Sequence, residues 1–182
     1  MSYCDFCADK PAEHLHKIYH DQKYGFPLLD DDELFGRLIL EINQAGLSWD
    51  TMLKKEENFR KAFDSFSIQK IANYSETKIE ELLNDAGIIR NKLKVNAVIY
   101  NAKQIVTLQK EQGSFAKWLE TNDPLTKIEW VKLFKKHFKF VGGEIVGEFL
   151  MSIGLLKGAH VENCPIFNVI LSYEPSWKKY EE

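Results

Sequence analysis

The stretch SETKIEELLNDAGIIRNKLKVNAVIYNAKQI, residues 75–105, decides how the chain reads. Ser75 offers a side-chain oxygen to the first amides of a helix, and Ile79, Leu82 and Leu83 recur on one helical face. Gly87 stands where a helix-ending glycine is expected, and a longer helix is predicted from about Asn91 to Gln112, stopping at Gly113. Two helices joined by a short apolar loop make an αα-hairpin. Arg90 and Lys92 add positive charge where the second helix presents unpaired amides and the positive end of its dipole. That combination suits a phosphate, so Gly87, Arg90 and Lys92 are read as a sequence-independent contact to a DNA backbone. An ordinary hairpin with a glycine stop is the alternative.

Working outward, residues 30–46 (DDDELFGRLILEINQAG) predict a helix with an acidic first turn, an apolar stripe at 34, 35, 38, 39 and 42, and a stop at Gly46. Ser48 caps a helix over roughly 50–62, and further helices are expected near 114–121, 126–137 and 143–153. No segment alternates with period two, so the fold class is all-α. The chain reads as one domain, 1–182. One helical lobe spans about 31–112, the other combines about 1–30 with 113–170, and residues 171–182 form a tail, loosely held from about Tyr173.

Composition sets the bounds. With 45% hydrophobic residues the chain can bury a core, which argues against disorder. The net charge of −3 is not that of a typical DNA binder, but phosphate affinity depends on local charge. Basic residues gather at Arg90, Lys92 and Lys94 and again at Lys132, Lys135, Lys136 and Lys139, away from the acidic run 30–33. No apolar run approaches the ~18–20 residues of a membrane span, and MSYCDFCADK lacks a signal-peptide core. The expectation is a cytoplasmic protein with no membrane partner, and nothing calls for more than a monomer.

Two constellations carry chemistry. Glu41 lies at the edge of the apolar stripe beside Leu34, Leu38 and Ala45, and Gly46-Leu47-Ser48-Trp49 follows as a tight turn ending in an indole. A carboxylate near an indole suits a flat, electron-poor ring, through hydrogen bonding from the one and stacking or cation–π attraction from the other. The second is a metal set. His160 and Cys164 have the i, i+4 spacing that on a helix would turn both toward one ion, while Cys4, Cys7, His14, His16 and His20 crowd the N-terminus. An odd number of cysteines without a secretion signal favours thiols or metal ligands over disulfides.

IYHDQKYGFP (18–27), LEINQAGLSWDTMLKKEENFRKAF (40–63), DAGIIRNKLKVNAVIYNA (85–102), FKFVGGEIVGEFLM (138–151) and HVENC (160–164) together resemble the 3-methyladenine DNA glycosylase I family, in order over roughly residues 3–165. The resemblance implies a helix-hairpin-helix glycosylase fold and monofunctional excision of 3-methyladenine from alkylated double-stranded DNA by base flipping. It implies Glu41 as the pocket carboxylate, serving recognition and electrostatic stabilisation, with Tyr19, Trp49 and Phe6 around the base. Gly46 and Leu47 fall at the loop probing the gap left by the flipped base. Cys4, His20, His160 and Cys164 become ligands of a structural Zn2+ joining the N- and C-terminal segments. Many superfamily members carry an aspartate after the hairpin; here none occurs between Asp85 and Asp123, as in the family.

The departures are specific. Cys4-Asp5-Phe6-Cys7 replaces the usual Cys-x-Trp, leaving Cys7 as an alternative ligand, with Cys4 favoured by the aromatic that follows it. Tyr24 stands where tryptophan is common, and Gly147, flanked by Glu144 and Glu148, where an aromatic often lies; these changes would widen the pocket or shift base specificity. The rival readings are a glycosylase/lyase using Lys92 or Lys94 and a non-catalytic module that binds alkylation damage.

Overall fold

The computed structural model describes residues 2–180. Among them are eleven α-helices and no strand: α1 (Tyr3–Ala8), α2 (Leu15–Gln22), α3 (Asp31–Gln44), α4 (Trp49–Ala62), α5 (Ile68–Ala72), α6 (Glu76–Asn84), α7 (Lys92–Gln112), α8 (Phe115–Asn122), α9 (Lys127–His137), α10 (Gly143–Ser152) and α11 (Pro165–Ser172). Caps set the boundaries. Asp30, Ser48, Ser75, Asn91, Ser114 and Thr126 each accept an amide from the first turn of the helix that follows. Gly113 ends α7 with φ 93°.

Helix α3 is the axis of the interior. Leu34, Phe35, Leu38, Ile39 and Ile42 are fully buried on it, and α4, α7, α8 and α10 all pack against it. Each such side chain contributes about 1.5–3 kcal/mol of burial. The core is continuous from Leu34 to Ile153, including Phe115, Trp118, Trp130, Phe134 and Phe149. Helices α1 and α2 attach to its flank through α4. Cys4, Cys164 and Phe167 form a second small cluster that draws the two ends of the chain together. No helix of the described residues is long and apolar enough to cross a membrane.

Three local expectations are corrected. Gly87 is not a helix-ending glycine with positive φ: α6 ends at Asn84, and the Gly87 amide donates to Asp85 Oδ1 at 2.7 Å, closing an Asx-type turn. His160 and Cys164 share no helix. They lie on a turn closed by the Cys164 amide on the Val161 carbonyl, and Cys164 is the N-cap of α11. The chain beyond Tyr173 is held as far as it is described. Ser176 donates to the Gly154 carbonyl and to Asp123, and Trp177 stacks on Phe167 at 5.9 Å. Residues 181–182 of that expected tail lie outside the described residues.

Candidate active site and metal centre

Glu41 sits on the third turn of α3 and is 4% exposed. Among the described residues no group donates a hydrogen bond to it. Its carboxylate borders a cavity of about 420 Å³ walled by Tyr3, Tyr19, Tyr24 and Trp49, with Gln44, Glu144 and Glu148 as the other polar lining. Burial, reinforced by the charge of Glu148 and partly relieved by Arg37, pushes Glu41 up to about 8. Glu41 is thus an acid held near the neutral range by its surroundings.

The aromatic walls come from three helices and the turn after α2. Tyr19 on α2 faces Trp49, the first residue of α4, at 5.1 Å, and Tyr24 at 5.5 Å; Tyr3 on α1 meets Tyr24 edge-on at 5.6 Å. The Arg37 guanidinium lies 5.2 Å from the Tyr19 ring centre and donates to its hydroxyl at 3.4 Å and to the Ser152 carbonyl at 3.3 Å. Burial pushes the Tyr19 and Tyr24 hydroxyls well above the usual tyrosine range, keeping them neutral donors. The Trp49 indole N–H is buried and finds no acceptor among the described residues.

Phe6 does not line the cavity. It is 39% exposed, with its ring 5.1 Å from His16 and beneath Lys10 at 4.5 Å. Tyr3, one helical turn earlier, takes the inward place, and Asp5 closing a capping box on Ser2 was the sequence signal for that helix. Gly147 does not widen the cavity either: a Cβ there would meet Lys127 Cε at 2.5 Å, so the Lys127 stem fills the space. Gly46, at φ 85°, turns the chain out of α3, leaving Leu47 39% exposed. This turn is anchored by Lys94, whose buried ammonium donates to the Asn43 and Ala45 carbonyls, each at 2.8 Å. Lys94 therefore faces inward, while Arg90 and Lys92 remain exposed on the loop and first turn of α7. Lys55 pins that loop to α4 by donating to the Ala86 and Gly87 carbonyls at 3.1 Å.

The second cluster contains Cys4, His20, His160 and Cys164, all buried, with one donor atom from each lying within 4.8 Å of the others. His160 Nδ1 is 3.7 Å from Cys4 Sγ and 3.6 Å from Cys164 Sγ, and Cys164 Sγ is 3.8 Å from His20 Nε2. Such spacings fit a tetrahedral set of two sulfur and two nitrogen donors, so the cluster could hold a metal ion. The outer ring nitrogens are engaged as metal-bound imidazoles require: His20 Nδ1 with Asp21 Oδ1 at 2.6 Å and His160 Nε2 with the Tyr24 carbonyl at 2.8 Å. Gly25, at φ 84°, permits that approach, since a Cβ there would meet Ala159 at 2.8 Å. Cys7 is elsewhere, its thiol donating to the His16 carbonyl. His14 caps α2, and His16 pairs with the Tyr3 hydroxyl.

The profile of the Methyladenine glycosylase family matches residues 9–168. This chain belongs to that family. Within it, the chain is 34% identical to DNA-3-methyladenine glycosylase 1 of Escherichia coli (strain K12) over 90% of this chain and 96% of the relative. It is also 34% identical to a DNA-3-methyladenine glycosylase of Haemophilus influenzae, over 87% and 96%. A crystal structure of a tyrosine-to-phenylalanine variant of 3-methyladenine DNA glycosylase I in complex with 3-methyladenine superposes with TM-score 0.79 and 31% identity, over 91% of this chain and 97% of that one. The all-helical architecture is that of the solved methyladenine glycosylases.

Proposed function

We propose that the protein excises 3-methyladenine from alkylated double-stranded DNA as a monofunctional glycosylase of base-excision repair. The observation that carries this reading is Glu41: a buried carboxylate with no hydrogen-bond donor, inside a cage of aromatic rings. Such a group is costly to hold empty and is relieved by a flat cation. The relatives named for 3-methyladenine, one in complex with that base, support the choice of substrate.

Methylation at N3 makes the adenine cationic and its glycosidic bond weak. The C1′–N9 bond breaks, its electron pair neutralises the departing base, and water adds at C1′ with loss of a proton. Trp49, Tyr19 and Tyr3 hold the ring, and Glu41 faces its charge. A cationic base favours the ionised form of Glu41, so kcat/KM rises with pH toward about 8 as that form becomes available in the free enzyme. The helix-hairpin-helix formed by α6 and α7 would hold the DNA backbone through the Gly87 loop, Arg90 and Lys92, with Leu47 filling the gap left by the flipped base. The lobes of about 31–112 and of 1–30 with 113–170 would flank the cavity. The four-ligand centre fits Zn2+, which would supply a structural crosslink between the chain ends. The enzyme would act as a cytoplasmic monomer.

Incubation with methylated duplex, followed by assay of released base, tests the reading. Free 3-methyladenine and unbroken abasic strands are expected. Tight binding without release identifies a damage-binding module, and a borohydride-trapped adduct identifies a lyase.

A further inference from the structure

Glu148 is the cavity's second inner carboxylate, and the excision chemistry leaves it without a role. It projects from α10, one turn after Glu144, and the Tyr24 hydroxyl donates to its Oε2 at 3.1 Å. Glu148 and Glu41 border the same cavity closely enough for the charge of one to be felt by the other. No basic side chain pairs with Glu148 among the described residues. Arg37, whose charge acts on Glu41, is engaged with the Tyr19 hydroxyl and the Ser152 carbonyl. Lys127 lies over Gly147 and pairs with Glu144, whose side chain is 92% exposed, at 3.7 Å. The inner cavity therefore sets two carboxyl groups against one guanidinium, that of Arg37, which only partly relieves Glu41. Like charges in one partly desolvated site repel unless a positive ligand joins them.

Resting on the glycosylase reading, we propose that Glu148 is a specificity-determining residue that selects positively charged bases, with the Tyr24 hydroxyl aiming its carboxylate at the ring. The substrate class is then cationic alkylpurines, chosen by charge as well as by shape. Tyr24 and Glu148 act as a pair: the phenol supplies both ring surface and the bond that orients the acid.

The test compares two ligands on the metal-loaded, full-length protein by calorimetry. 3,9-Dimethyladeninium is a permanent cation with a methyl group in place of the sugar; 9-methyladenine is a neutral counterpart. Glu148→Gln keeps the shape and still accepts from Tyr24. Its affinity for the cation is expected to fall about tenfold, with neutral binding changed less than about twofold. On methylated duplex, KM rises more than kcat falls. An unchanged cation-to-neutral ratio overturns the proposal, and so does an equal loss on both ligands, which marks a packing role. Should Glu148→Gln fail to fold, Tyr24→Phe keeps the ring and answers the same question: a reduced ratio supports the proposal, an unchanged one overturns it. Failure of the wild-type enzyme to release 3-methyladenine defeats the glycosylase reading, while the ratio still decides Glu148.

Discussion

Tyr19 and His20 are neighbours on α2, yet they belong to opposite kinds of site. In the cluster that His20 joins, polar atoms are matched: sulfur and nitrogen donors lie 3.6–3.8 Å apart, and the outer imidazole nitrogens meet Asp21 and the Tyr24 carbonyl. In the cavity that Tyr19 lines, Glu41 has no donor and the Trp49 indole has no acceptor among the described residues. The first arrangement is closed and fixes structure. The second is open and keeps its polar groups for a ligand, at a cost in stability. Tyr24 belongs to both, its carbonyl accepting from His160 and its hydroxyl donating to Glu148. The closed site thus holds the wall of the open one.

Breaking the closed site has the largest expected effect. Cys164→Ser removes one sulfur from a buried four-donor set and should abolish stoichiometric metal, measured by elemental analysis. With the chain ends no longer crosslinked, the loss is about 3 kcal/mol or more, on the order of 10 °C in Tm. A native protein without metal, or a variant of unchanged Tm, would show that the cluster is not a metal centre.

Breaking the open site should act in the reverse sense on stability. Glu41→Gln is expected to cut excision about 100-fold. Because the folded-state value is raised from 4.5 to about 8, the wild-type protein has its full stability below about 4.5 and loses this contribution as pH rises through about 8. The amide has no such loss. The gap in Tm should therefore open across that window and reach on the order of 5 °C in favour of the variant at pH 9. A variant less stable than wild type at pH 9 would deny that the empty cavity holds a strained acid.

Legibility in the sequence followed the same division. Helices α3, α4, α6, α7, α9 and α10 were readable because they are long enough for caps and periodicity to agree, as at Ser48 and Ser75, and the eight-residue α8 because Gly113 and its Ser114 cap mark its start. Helices α1, α2, α5 and α11 span five to eight residues, too few for a periodic stripe to stand out. Glu41 and Trp49 were visible as a local pair. Tyr3 was not legible as a cavity residue, and Glu148 was visible only as a flank of Gly147, because only tertiary packing brings α1 and α10 to the wall. The four residues of the Cys/His cluster came from family resemblance; the i, i+4 spacing of His160 and Cys164 serves a turn rather than a helix. Lys94 was counted with the surface charges, although it shares a stripe with the buried Val98, Asn101 and Ile105, which was the signal that it points inward.

That last contrast supplies the smallest and most local prediction. Arg90, Lys92 and Lys94 lie within five positions, and charge counting treats them alike. Their surroundings do not, since only Lys94 has its ammonium fixed on the end of α3. In the double variant Arg90→Gln/Lys92→Gln, the slope of log(kcat/KM) against log salt should flatten by about two, roughly one per phosphate contact removed. Free-base binding should not change. Lys94→Met keeps the stem and removes the charge, so the slope should stay as in wild type while Tm falls by a few degrees as the α3 carbonyls lose their donor. If Lys94→Met flattens the slope as the other changes do, its side chain leaves α3 for a phosphate when DNA binds. The turn bearing Gly46 and Leu47 would then be released by the duplex rather than held ready for it.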